Sequence, residues 1–133
     1  MLDFKTIVAD LASLPDWEDK YAYLIDLGRD LPEMPTHLKT DATKVRGCTS
    51  QVWLTLGWEE GRLAMQAASD AMIVQGLVAL LVAAYHGKTP AEAAQVDLLK
   101  SFQDLGLESH LTLNRRNGFA SMVARVKAFL QMA

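Results

Sequence analysis

The stretch Gln51-Val52-Trp53-Leu54-Thr55-Leu56-Gly57-Trp58-Glu59-Glu60-Gly61-Arg62-Leu63-Ala64-Met65-Gln66-Ala67 decides the fold class. Val52, Leu54, Leu56 and Trp58 fall on one face of a period-two pattern and Gln51, Trp53, Thr55 and Gly57 on the other, which describes a strand with one buried face. Glu59-Glu60-Gly61 then supplies a turn whose glycine can take a positive φ. Beyond it Leu63, Met65 and Ala67 alternate with Arg62, Ala64 and Gln66, so the two strands are expected to form an antiparallel hairpin.

Working outward, residues 71–85 form the longest apolar run, broken only by Gln75 and Gly76. It is shorter than the roughly 20 residues that span a bilayer, and it lacks a polar face, so it reads as a buried helix between the sheet and the other helices. Ser69 or Asp70 is expected to cap it. Upstream, Phe4, Ile7, Val8, Leu11 and Leu14 have helical spacing, ended by Pro15. Asp16 is expected to cap a second helix that turns Trp17, Tyr21, Leu24, Ile25 and Leu27 inward, allows an Asp16–Lys20 pair, and stops at Gly28 or shortly after. Residues 32–44, with two prolines and three threonines, read as a surface loop. Downstream, Thr89-Pro90 with Glu92 starts a short helix, residues 96–107 hold another ending at Gly106, and Thr112 or Asn114 caps a last helix that buries Phe119, Met122, Val123, Val126, Phe129 and Leu130. Helices, a hairpin and helices again make an α+β fold, a small antiparallel sheet packed against several helices, in one domain over 1–133.

A chain of 133 residues with 50% hydrophobic composition can bury its own core without disulfides. Its net charge of −3, with no basic stripe, argues against nucleic acid and against an anionic membrane as partners. The first residues mix charge into their apolar positions and lack a signal-peptide pattern, from which a cytoplasmic location is expected. His37, His86 and His110 are far apart and give no local metal-ligand pattern, so no metal is expected.

Cys48 is the only cysteine. On composition alone a free cysteine is most simply a small buried hydrophobe. Its placement before the strand, after Gly47 and ahead of Thr49 and Ser50, instead describes a loop thiol beside hydroxyl donors, expected to lie partly buried at rest under Trp53 or other apolar neighbours. A reactive thiol also needs cations near it. Arg115 and Arg116 open the last helix, where the macrodipole disfavours positive charge; either they mark a site or they pair with acids such as Asp104 or Glu108. Asp70 reads first as a helix cap. Composition favours packing and placement weakens it, so two further readings stay open: a low-pKa nucleophile of a thiol enzyme or redox sensor, and a thiol that holds a persulfide.

Val45, Gly47, Cys48, Ser50, Val52 and Trp53 follow a V-x-G-C-x-S-x-V-W pattern that resembles the SufE family of sulfur acceptors for cysteine desulfurases. Further matches run along the chain: Trp17-Glu18-Asp19-Lys20-Tyr21 with Leu27-Gly28 and Leu31-Pro32, Ser69-Asp70-Ala71 with Ile73-Val74 and Gly76-Leu77, and Leu111-Thr112 with Arg115 and Gly118. The resemblance implies a fold similar to that of SufE and of IscU-type scaffold proteins. It also implies that Cys48 accepts persulfide sulfur from a pyridoxal-phosphate-dependent cysteine desulfurase of the SufS or CsdA kind, enhances that enzyme's turnover, and passes the sulfur to an iron–sulfur scaffold or another acceptor. Such a carrier is not itself an enzyme and holds no cofactor. Gly47 and Ser50 are implied to shape the loop, and Asp70 and Arg115 to lie near it or near the partner surface. Arg116 and Asn117 fall on variable positions of the motif.

Overall fold

A computed structural model describes residues 2–132. Helix α1 (Phe4–Ser13) starts at Asp3, whose carboxylate accepts the Thr6 N–H at 2.8 Å. Helix α2 (Trp17–Asp30) is capped by Asp16, which accepts the Asp19 N–H at 3.0 Å. The expected Asp16–Lys20 pair gives way to a longer reach: the Lys20 ammonium donates to the Leu11 carbonyl at 2.7 Å. That carbonyl lies in the last turn of α1, where its backbone partner is the Leu14 N–H at 3.3 Å rather than an i+4 amide. Tyr21, expected inward, is exposed and meets Trp17 edge-on, because the buried stripe of α2 runs through Leu24, Leu27 and Gly28.

Residues 32–44 are largely irregular, as expected, with one 3-10 turn at Thr36–Leu38. The hairpin follows as β1 (Val52–Glu59) and β2 (Arg62–Ser69), paired antiparallel from Val52↔Ser69 to Glu59↔Arg62. Glu60 and Gly61 both take positive φ, at 51° and 77°, the twist that a two-residue hairpin turn requires. Both edges of the hairpin are covered in part. On β1, a bridge between Lys44 and Trp53 adds a stub of third strand, with Val45 N–H donating to Val52 O and Leu54 N–H to Thr43 O, each at 2.8 Å. On β2, Leu63 N–H donates to Lys88 O, Met65 N–H to His86 Nδ1 and Ser69 N–H to Gln75 Oε1.

Helix α3 (Met72–Tyr85) is the central element, packed against α2 and β2 and touched by α1 and by the last helix. Neither Ser69 nor Asp70 caps it as expected. Its cap position is Ala71, with no side-chain bond, because Asp70 is drawn away to the neighbouring loop. Two short helices, α4 (Pro90–Ala94) and α5 (Leu98–Asp104), close one end; Thr89 and Glu92 form the anticipated capping box of α4. Helix α6 (Leu113–Gln131) is capped by Thr112 and buries Gly118, Phe119, Met122, Val123 and Val126.

Helices α2 and α3 approach at backbone distance through Gly28 and Gly76. A Cβ on Gly28 would sit 2.8 Å from the Gly76 nitrogen, and one on Gly76 would collide with the Leu24 carbonyl. Alanine at 76 gains about 1 kcal/mol of helix propensity, but overpacking against an immovable backbone costs roughly 1–3 kcal/mol. Gly76→Ala is therefore expected to lower the urea midpoint with an unchanged slope. A raised midpoint would show that the close approach does not constrain this helix pair.

Candidate functional site

Cys48 sits at the tip of loop 46–51, which is closed at its base by the Val45–Val52 hydrogen bond. Gly47 holds φ +87°, a left-handed conformation open to glycine. A Cβ there would also fall 2.7 Å from Ser121 Oγ, so Gly47 serves both the turn and its contact with α6. On the other arm, Asp70 Oδ1 accepts the Gln51 N–H at 3.0 Å and the Asp70 N–H donates to Gln51 O at 3.3 Å. This reciprocal pair carries the β1–β2 ladder one step past Val52↔Ser69 and ties the loop to the start of α3.

The half-buried thiol lies against α6. Its S–H donates weakly to Gly118 O at 3.6 Å, and a Cβ on Gly118 would stand 3.4 Å from Sγ. A glycine in a helix interior costs about 1 kcal/mol against alanine, which points to a close approach; here the approaching group is the cysteine. Trp53, expected as the shield, is not in the wall around the thiol. It pairs across the strand stub and takes the Lys39 ammonium 5.5 Å from its ring centre.

Cys48 opens instead on a cavity of about 240 Å³ walled by Thr49, Ser50, Val74, Leu77, Met122 and the first turn of α6. Thr112, Asn114 and Arg115 supply that turn. Arg115 Nη1 is buried without a hydrogen-bond partner. Arg116 turns the other way, 3.9 Å from Glu108, while Asp104 is taken by Lys100 at 3.0 Å. The two neighbouring arginines thus separate, one into the wall of the thiol cavity and one onto an acid. Of the residues singled out in the sequence, Cys48, Ser50 and Arg115 share the cavity, while Gly47 and Asp70 fix the loop from outside it. Val74, Leu77 and Met122 were legible only as core. A larger open groove of about 920 Å³ runs between Phe4, Leu31, Trp58 and His86 and does not include the thiol, so size alone would misplace the chemistry.

Residues 5–130 match the family model for SufE, an Fe-S metabolism associated domain. The chain belongs to the SufE family. It is 44% identical over 132 residues to an uncharacterized SufE-like protein of Rhizobium meliloti, covering 96% of this chain and 94% of the relative. A second SufE-like protein, from Rhizobium etli and also uncharacterized, is 43% identical over 131 residues, covering 96% and 88%. The fold is similar to the solution structure of a hypothetical protein from Thermus thermophilus, with a TM-score of 0.80 at 21% identity over 100% of this chain and 98% of that one. The α+β architecture expected from the sequence is therefore that of a known fold. Among the described residues of this SufE-family chain no helix is long and apolar enough to cross a membrane.

Burial pushes the Cys48 thiol above its ordinary range, since desolvation penalises the thiolate. Folding therefore favours the protonated form. The stability this contributes is fully present below the unfolded thiol's value, about pH 8.5, and is lost as pH rises through the raised folded value. Accordingly, the difference in urea midpoint between wild type and Cys48→Ala is expected to shift against the wild type on going from pH 7 to pH 10. A difference that stays flat across that range would rule out a desolvated thiol.

Proposed function

We propose that this protein is the sulfur acceptor of a pyridoxal-phosphate-dependent cysteine desulfurase, with Cys48 as the carrier atom. The family association with Fe-S metabolism supports this reading. The observation that carries it is the position of the thiol: at a loop tip, beside a cavity with Arg115 in its wall, in a chain with no second cysteine to discharge a persulfide.

The step balances without an outside oxidant. Cys48 loses its proton and its thiolate attacks the outer sulfur of the persulfide on the desulfurase cysteine. A new S–S bond forms on Cys48, the donor's S–S bond breaks, and the desulfurase cysteine leaves as thiolate. An added sulfur, comparable to a water at roughly 30 Å³, has room in the cavity. The Ser50 and Thr112 hydroxyls, the Arg115 guanidinium and the positive end of the α6 dipole are the donors available to the terminal anion. At rest desolvation outweighs these groups, so the thiol stays protonated. Docking therefore has to move loop 46–51 off Gly118, which breaks only a weak S–H bond. The sulfur then passes to an iron–sulfur scaffold or another acceptor, and removing it from the desulfurase speeds that enzyme's turnover.

A thiol enzyme or redox sensor would act from the resting chain, where burial raises the Cys48 thiol, whereas the acceptor step is taken once docking has moved the loop. Intact-mass analysis after a short incubation with a cysteine desulfurase and cysteine tests the proposal. Wild type is expected to gain one sulfur atom, and Cys48→Ser none. No gain in wild type, or an equal gain in the serine variant, would end it.

A further inference from the structure

The loop rests on α6 at three places that share one stripe of the helix. Cys48 meets Gly118, Gly47 meets Ser121, and one turn further on Arg125 reaches the arm that leads into the loop. Positions 118, 121 and 125 are spaced i, i+3 and i+7, so they lie on one face. Arg125 Nη1 donates to Lys44 O at 2.8 Å and Nη2 to Ala42 O at 3.1 Å.

The choice of carbonyls follows from the backbone of the stub and of the turn before it. Thr43 O and Val45 N–H point inward and bond to β1, so the Lys44 carbonyl between them points outward with no strand to receive it, and the Ala42 carbonyl comes from the turn just before the stub. A planar guanidinium fork can hold both at once, whereas a lysine ammonium is a single point of donation. The bond to Lys44 is partly shielded from water, while the one to Ala42 is exposed.

We propose that Arg125 is a positioning residue for Cys48: by clamping the carbonyls of residues 42 and 44 it sets the base of loop 46–51 against α6 and seats the thiol over Gly118. Asp70 holds the other arm through Gln51. Between these two fixed points the loop carries the reactive residue, and the strength of the Arg125 clamp sets how often the thiol leaves its seat. The consequence for sulfur transfer rests on the reading of Cys48 as acceptor, but the clamp itself is tested without any partner.

The experiment is the rate of Cys48 alkylation by iodoacetamide against pH, on the full chain, for wild type, Arg125→Met, Arg125→Lys and Leu98→Ala. Methionine keeps the apolar stem and helix propensity and removes both donors; Leu98→Ala truncates the core away from the loop. Arg115 is the charged group in the cavity wall and is unchanged in every variant. Arg125→Met is expected to alkylate roughly threefold or more faster at neutral pH, with its profile displaced to lower pH, because a freed thiol is better solvated. Arg125→Lys is expected to fall between it and wild type. Leu98→Ala, though less stable, is expected to keep the wild-type profile. A wild-type profile in folded Arg125→Met, or an equal displacement in Leu98→Ala, would overturn the proposal. If Arg125→Met does not fold by circular dichroism, Arg125→Lys decides: displacement supports the clamp and coincidence with wild type overturns it. Sulfur gain on incubation with a desulfurase reads the acceptor role separately, so loss of one conclusion leaves the other standing.

Discussion

Helix α3 has no polar face, and that one constraint organises the molecule. A helix apolar all round has to be covered on every side, and residues 73–74, 76–82 and 84–85 are indeed buried. The cover comes from α2 on one flank, the hairpin on another, and α1 and α6 over the rest. Each covering element has to find its own way to approach. Helix α2 does so through the paired absence of side chains at Gly28 and Gly76, and the hairpin by its period-two face. The start of α3 also reaches beyond the core, because Val74 and Leu77 form the floor of the thiol cavity.

The thiol's surroundings balance two opposed needs. Protection comes from the apolar floor and from Gly118, and it holds the sulfur protonated. Reactivity needs the opposite charge state and the opposite exposure. The same neighbourhood offers means for both: Met72 and Leu113, each the first residue of its helix, are 61% and 62% exposed, and their neighbours Val74 and Asn114 line the cavity. Large apolar side chains at that level of exposure are surface that a partner can cover. Covering them while opening the loop would exchange one shelter for another without passing the sulfur through bulk water.

Much of this was legible in the sequence, because it rested on local rules. The hairpin register, the Asp16 cap, the Thr89–Glu92 capping box and the burial of α3 each follow from residues within a few positions of one another. The readings that failed involved competition from elsewhere in the chain. Asp70 is a plausible cap until the Gln51 N–H, nineteen positions away, offers a better-placed donor. Lys20 prefers a terminal carbonyl of another helix to its own i−4 neighbour. Trp53 could be assigned a face but not the Lys39 that occupies it. Arg125 gave no sign at all, since its partners lie more than eighty residues upstream and are carbonyls, which carry no side-chain identity. Gly28, Gly76 and Gly118 are long-range contacts with a local trace, each a glycine where a helix prefers none.

The two edges of the hairpin bear on how this molecule meets others. A short sheet in a small domain usually leaves one edge strand whose free N–H and C=O groups can template a foreign strand. Here the β2 side is occupied by a backbone turn, a histidine ring and a glutamine amide, and part of the β1 side by a strand stub whose outward carbonyl ends on a guanidinium. Strand addition is hindered along β2 and beside Trp53, whereas the outward backbone groups of Leu56 and Trp58 have no backbone partner among the described residues and border the open groove. The ring of loop and helix ends around the sulfur is thus one of two surfaces open to other molecules, the second being the groove beside the uncovered half of β1, so a partner held at one leaves the other free.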